Sequence, residues 1–340
     1  MTTPPMRIDA TSPESAAVPK IVCMIGMPRT GSTHLMRLLK GCPEFYVKSE
    51  LFKQGYKLRR ADKRAIMAAS GLTPDDELTK WRRLNPAKVL DIVFESGGRR
   101  PVFIKLFPGH LSERQIEAEI FPRSDVRYIS LRRRPIECFI SHCKARHYGV
   151  HGRVDTTSLK PTLKAKPFAF WARKARAWED WIEAERAAKQ LSFLDLIYET
   201  QLENVASDVA LAGILDRLAG LGLPKVSLPK RIPSGERQDR EPDYRARVAN
   251  WAEFERQVRS VSAHAALLDW AEAMPGEPFE LPRASAPASD GQDRPTNGAA
   301  NPADQTDAKE ERRRQRREQR RAEKSAIRSA GKRGRERTAQ

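Results

Sequence analysis

Gly26 and Gly31 stand five residues apart in the segment IGMPRTGSTHL (25–35), and Ser32 and Thr33 follow directly. This is the frame G-x-x-x-x-G-K-[ST] of a phosphate-binding loop, with serine at the lysine position. Glycines there let the backbone wrap closely around phosphate oxygens. The hydroxyls of Ser32 and Thr33 can donate, and Arg29 supplies a cation within the loop. A second anion site is suggested by LRRRPIECFIS (131–141), where Arg133 leaves an apolar run and Ser141 lies eight residues later, about two turns down a helix. An arginine fork with a serine hydroxyl beside it suits a phosphate.

The elements that must hold these residues are legible as periodic patterns. Near-continuous apolar runs at 20–26, 101–107, 125–131 and 191–198 read as short buried strands. Leu35, Leu38, Leu39 and Cys42 form the i, i+3, i+4, i+7 stripe of a helix that opens at the glycine loop. A second helix follows Pro135, whose missing N–H costs nothing in a first turn. A long helix is expected over 167–190, with Trp171, Trp178 and Trp181 as core. Strands alternating with helices imply βαβ units, a central parallel sheet with helices on both faces, and ligands at the carboxyl ends of the strands. The glycine loop then lies between a strand and the first turn of a helix, where free N–H groups and the dipole favour an anion.

The chain has 340 residues, 39% of them hydrophobic, enough for one catalytic-size domain. Its formal charge of +18 is uneven, roughly half of it falling in the last 30 residues. The expected organisation is a disordered N-terminus (1–19), one domain (20–276) and a disordered basic tail (277–340). No aromatic residues interleave with the tail's arginines to stack on bases, so no stable nucleic-acid partner is expected. Cys23, Cys42, Cys138 and Cys143 show no paired spacing, no apolar run approaches the length of a membrane span, and the N-terminus lacks the apolar run of a signal peptide. A cytoplasmic setting is expected, and the oligomeric state is open.

Two separated phosphate sites on one parallel sheet suit a nucleotide carrying phosphates at both its 5′ and 3′ positions. At these residues the chain resembles the sulfotransferases that use 3′-phosphoadenosine 5′-phosphosulfate (PAPS). PRTGSTHLMRLL (28–39) is similar to that family's 5′-phosphosulfate loop, and RRPIECFIS (133–141) fits its R-x-P-x5-S 3′-phosphate motif without a gap. The likeness is strongest to bacterial and Golgi-type carbohydrate and tyrosylprotein sulfotransferases, and spans roughly residues 20 to 255. It implies a P-loop-containing NTPase-like α/β fold, PAPS as sulfuryl donor and no required metal. It also implies a donor site of Arg29, Thr30, Gly31, Ser32, Thr33, Arg133 and Ser141. Tyr198, in LIYET (196–200), resembles a tyrosine placed near adenine. His34 stands where the cytosolic branch carries tryptophan, and either stacks on adenine or packs. Arg245 and Arg247, before Trp251, resemble a late basic segment that closes over the 3′-phosphate, as candidates without a fixed register.

Sulfuryl transfer moves a group with about one negative charge, so fewer cations suffice than for a terminal phosphate. Loop amides, Arg29, Ser32, Thr33 and Lys105 are candidates to meet charge on the leaving oxygen. The acceptor, a hydroxyl or amine of a small molecule or glycan, read here as a carbohydrate or glycolipid, needs a base. Glu50, in YVKSELF at what reads as the end of a further strand, matches a family glutamate and is the first choice, with His110 in IKLFPGHLSE the alternative. Cys143, His147 and His151 align at helical spacing as possible metal ligands, but Gly149 is expected to break that helix. The rival readings are a nucleotide kinase or triphosphatase with a degenerate loop, which lacks an apolar run closed by aspartate, and a nucleic-acid binder acting through its tail.

Overall fold

The computed structural model describes residues 18–73, 75–149, 154–203, 205–232 and 238–276. The terminal segments and His151 lie outside the described residues. Five strands, β1 (Ile21–Ile25), β2 (Tyr46–Ser49), β3 (Val102–Leu106), β4 (Val126–Arg132) and β5 (Phe193–Ile197), form one sheet in the order β2-β3-β1-β4-β5. Every pairing is parallel, with Cys23 of β1 opposite Ile104 of β3 on one side and Tyr128 of β4 on the other. β1 and β3 are buried along their whole length, which is why both read as apolar runs without alternation.

Side chains still alternate between the faces of the sheet. Val22 and Met24 meet α1 (Ser32–Lys40) through Leu35, Leu38 and Leu39, and α8 (Ser207–Gly220) through Leu211, Ile214 and Leu218. Ile21, Cys23 and Ile25 face the opposite core. There lie α2 (Arg60–Ser70), α3 (Asp75–Leu84), α4 (Pro86–Ser96), α5 (Glu113–Glu119), α6 (Pro135–Tyr148) and α7 (Ala165–Ala188). The chain ends its described part in α9 (Trp251–Arg259) and α10 (Ser262–Glu272), with Phe254 of α9 meeting Phe168 of α7 edge to face at 5.4 Å.

Local chemistry sets the helix boundaries that matter for the site. Pro135 occupies the first turn of α6, and Gly149 ends that helix in the left-handed region at φ 65°. His147 is therefore on α6 with Cys143, while the helix stops before position 151. Among the described residues no group of three His, Cys, Asp or Glu side chains could hold a metal ion. Trp178 is 4% exposed, and Trp171 and Trp181 pack half-buried against the same core, as their stripe predicts. No helix among the described residues is long and apolar enough to cross a membrane.

Candidate functional site

The carboxyl ends of all five strands point to one edge of the sheet, and β1 sits at its centre, where the strand order reverses. The loop that follows β1 is closely held. Gly26 donates to the Leu106 carbonyl at 3.3 Å, and Thr30 is buried, its hydroxyl donating to the Met27 carbonyl at 3.0 Å. Arg29 and Gly31 both adopt positive φ, 78° and 85°. For arginine that conformation costs on the order of 1–2 kcal/mol and needs outside support. The support comes from the second anion motif: Arg29 Nε donates to Ser141 Oγ at 3.0 Å, and the Arg29 carbonyl accepts from Arg133 Nη1 at 3.4 Å. Arg29 was expected to stand in for the loop lysine, but its side chain instead joins the two motifs.

At the start of α1 no side chain caps the helix and no acid lies in the first turn. The N–H groups of Gly31, Ser32 and Thr33 donate to no protein acceptor among the described residues. Ser32 is buried and Thr33 exposed. This is the donor set of an anion site. His34, one turn further, keeps its Nδ1 buried without a hydrogen-bond partner, and burial first, then Arg37, lowers its pKa.

Arg133 follows β4 directly. Its Nη2 donates to Glu137 Oε2 at 2.6 Å and lies 3.6 Å from Glu203 Oε1. Burial opposes its charge, but Glu137, Tyr198 and Glu203 outweigh that and hold its pKa above the usual value. The guanidinium stacks 4.6 Å from the centre of the Tyr198 ring. Tyr198, just past β5, also packs on the glycine loop, since a Cβ on Gly31 would fall 2.1 Å from its Cδ2. A π-helical turn, Glu199–Glu203, follows, and Glu199 Oε1 accepts from the Arg134 backbone N–H at 2.8 Å. Of the two late arginines, Arg247 is the one brought here: it is 3% exposed with Nη1 at 3.4 Å from Glu137 Oε2. Arg245 instead pairs with Glu272 at 3.2 Å, with its side chain half exposed.

On the other side of the loop, Lys105 of β3 is 1% exposed and donates from Nζ to Thr33 Oγ1 at 3.3 Å. Burial lowers its pKa to about 8. Glu50 emerges from β2 after a register shift between Val47 and Ser49, with Ser49 at φ 62° turning the chain. Its Oε2 lies 2.7 Å from Lys53 Nζ. Burial pushes the Glu50 pKa up, but Lys53, Lys105 and His110 together outweigh it and hold the carboxyl below its ordinary range. His110 is 7% exposed, with burial first lowering its pKa, and its Nδ1 accepts from the Phe107 N–H at 3.3 Å. Glu50, Lys105 and His110 thus share one electrostatic neighbourhood.

Several residues that hold this neighbourhood escaped sequence reasoning. Asp62 of α2 is fully buried and accepts from Tyr46 at 2.8 Å, from Ser96 at 2.9 Å and from the Lys48 ammonium, which anchors β2 behind Glu50. At the end of α3, Arg82 Nη2 donates to the Lys53 carbonyl at 3.1 Å and Arg83 Nε to the His110 carbonyl at 2.9 Å. Adjacent arginines therefore clasp the two loops that carry Glu50 and His110. Asp62 stands four residues before Ile66 on the inward face of α2, the one available signal for it.

The arrangement offers two anion-binding poles joined by Arg29, a buried lysine on the far side of the glycine loop, and an ionised carboxylate at the rim. These donors fit a doubly phosphorylated nucleotide. Residues 19–218 match the family described as "Sulfotransferase family". No curated protein matches the chain. In structure it is similar to the sulfotransferase domain from the Synechococcus PCC 7002 olefin synthase, at 20% identity and TM-score 0.44, covering 76% of this chain and 96% of that one. It is also similar to the sulfotransferase domain from the curacin biosynthetic pathway, at 14% identity and TM-score 0.38, covering 76% and 99%. The matched stretch runs from β1 to α8 and includes the loop, Glu50, Lys105, Arg133, Ser141 and Tyr198. The chain belongs to the PAPS-dependent sulfotransferase family and is a sulfotransferase of P-loop-like α/β fold.

Proposed function

We propose that the protein carries a sulfuryl group from PAPS to an acceptor hydroxyl, of a carbohydrate or glycolipid, with Glu50 receiving the proton. The observation that carries this reading is the junction at Arg29, where the glycine loop and the Arg133–Ser141 motif are tied together by bonds of 3.0 and 3.4 Å. A single ligand with two phosphate groups suits such a coupled pair of poles.

The N–H groups of Gly31, Ser32 and Thr33 and the α1 dipole would hold the 5′ side. Arg133, Ser141 and Arg29 would hold the 3′-phosphate, with Arg247 reinforcing Glu137 behind them and Tyr198 and His34 flanking the base. When bound, PAPS supplies an activated sulfuryl group on a phosphate leaving group. Lys105 and Thr33 are placed to meet charge that grows on the leaving oxygen. Glu50, ionised at neutral pH, takes the proton from the acceptor oxygen, and His110 is the second candidate for that role. The catalytic domain is taken as 20–276, because α9 and α10 pack on α7. The four cysteines are free thiols, which supports a reducing cytoplasmic setting.

Thermal shift with 3′-phosphoadenosine 5′-phosphate against ATP with magnesium tests the donor reading. A ligand at 100 times its dissociation constant stabilises by about 2.7 kcal/mol. Stabilisation by ATP alone refutes the reading. Arg133→Ala should abolish the response, whereas Glu50→Ala should keep it and lose turnover. An active Glu50→Ala beside an inactive His110→Ala reassigns the base.

A further inference from the structure

We propose that the acceptor carries an anionic group of its own, a carboxylate or phosphate, close to the reacting hydroxyl, and that Lys53 is the residue that selects it. The inference rests on the reading of Glu50 as proton acceptor. Glu50 and Lys53 form an ion pair at 2.7 Å, with side chains 23% and 58% exposed. The pair is accessible, and a hydroxyl approaching Glu50 competes with Lys53 for the same carboxylate. Lys53 can swing aside on its flexible stem. What decides whether it does is where its charge can go.

The segment that carries this turn is strongly basic. Lys53, Lys57, Arg59, Arg60, Lys63 and Arg64 fall within twelve residues that contain one carboxylate, Asp62. Asp62 is fully buried and already engaged by Lys48, Tyr46 and Ser96. Lys57, Arg60 and Arg64 are exposed and form no ion pair among the described residues. Beneath the turn lies Arg82, 1% exposed, bonded to the carbonyls of Lys53 and Tyr56 and to no carboxylate among the described residues. Glu77 of α3 belongs to the opposite end of that helix, roughly 8 Å along it from Arg82.

An acceptor that brings an anion resolves the conflict. Lys53 changes partner from Glu50 to the acceptor's anion, and the freed Glu50 oxygen receives the hydroxyl proton. Removing the ammonium also lets the Glu50 carboxyl return toward its ordinary pKa, which makes it a stronger base. A neutral acceptor has to break the ion pair without replacing it. The basic segment then raises the local concentration of anionic acceptors and keeps them at the rim.

The test is equilibrium binding to the full chain saturated with 3′-phosphoadenosine 5′-phosphate, using three probes that share a sugar ring: methyl glucuronide, glucose 6-phosphate and neutral methyl glucoside. The expected result is about three- to fivefold tighter binding of at least one anion at low salt, in the range of a partly exposed ion pair. That preference should shrink at higher ionic strength. Lys53→Met should bring the ratio close to one, and Lys53→Arg should retain it. The better of the two anions identifies the group recognised. Equal binding of charged and neutral probes, no measurable binding of either anion, or a preference that survives Lys53→Met overturns the proposal. Failure of the wild type to bind the adenosine bisphosphate overturns the donor reading instead, so the two failures are distinguishable.

Discussion

Asp62→Asn perturbs the site from behind, through the buried ion pair that anchors β2. Asp62 is 0% exposed, with Oδ1 accepting from Tyr46 at 2.8 Å and Ser96 at 2.9 Å, and Oδ2 from Lys48. Lys48 is 2% exposed, its ammonium 3.4 Å from the centre of the Tyr46 ring, and burial holds its pKa below the usual lysine range. Asparagine keeps the volume but removes the charge that neutralises the ammonium. Breaking a buried pair from one side costs about 3–5 kcal/mol. A cheaper route is open to the lysine itself: with its folded pKa already lowered to about 8, it can shed its proton at pH 7 for about 1.4 kcal/mol. The two routes bound the loss at pH 7 between about 1.4 and 5 kcal/mol, against the roughly 5–15 kcal/mol that holds a typical domain. The sign with pH is also determined. A lysine whose folded pKa is depressed imposes its full penalty below the folded pKa and none above the unfolded one, so stability rises with pH in between. In the variant the folded pKa is lower still, so its recovery begins earlier and its deficit narrows from pH 7 toward pH 10. Urea unfolding at pH 7 and pH 9 measures both effects. A loss under about 1 kcal/mol at pH 7, or an equal deficit at both pH values, refutes the reasoning.

Other perturbations act nearer the chemistry. Gly31→Ala puts a Cβ at φ 85° and 2.1 Å from the Tyr198 ring, so it should destabilise by about 1–3 kcal/mol and remove the thermal response to 3′-phosphoadenosine 5′-phosphate. An unchanged response contradicts the placement of the nucleotide on this loop. Lys105, with its pKa lowered to about 8, is charged below that pH and neutral above it, so kcat/KM should fall as pH rises through about 8. Lys105→Met should be slow at every pH and lose that limb, and a wild-type profile flat to pH 9 argues against a role for its charge. Arg83→Ala removes donors from the Gly109 and His110 carbonyls, bonded at 3.1 and 2.9 Å, and should cost about 1–3 kcal/mol in urea unfolding. Arg83→Lys should recover only part of it, since one ammonium does not reproduce a fork that reaches two carbonyls.

What was legible in the sequence was local. The glycine loop, Arg133 with Ser141, and the strand that delivers Glu50 are each confined to a strand, its turn and the next helix. A periodic pattern and a few turn residues suffice to read such a unit. The strand order is not local, nor are the contacts that follow from it. Arg82, Arg83 and Asp62 draw no role from the sequence, because their partners lie 14 to 34 residues away.

The missing loop lysine shows the same divide. Spacing alone offered Arg29 as its replacement, since Arg29 is the cation inside the loop. The positive φ of Arg29 and its bond to Ser141 turn that side chain toward the other phosphate pole. The cation that reaches the loop hydroxyls is Lys105, which pairs opposite Met24 on β3 and contacts Thr33 from 72 positions away in sequence. A lysine delivered by the neighbouring strand, rather than by the loop, is buried on arrival, and that burial brings its pKa to about 8. The same displacement that moves this cation from the loop to the neighbouring strand therefore makes its charge titratable near the physiological range, which a solvent-facing loop lysine would not be.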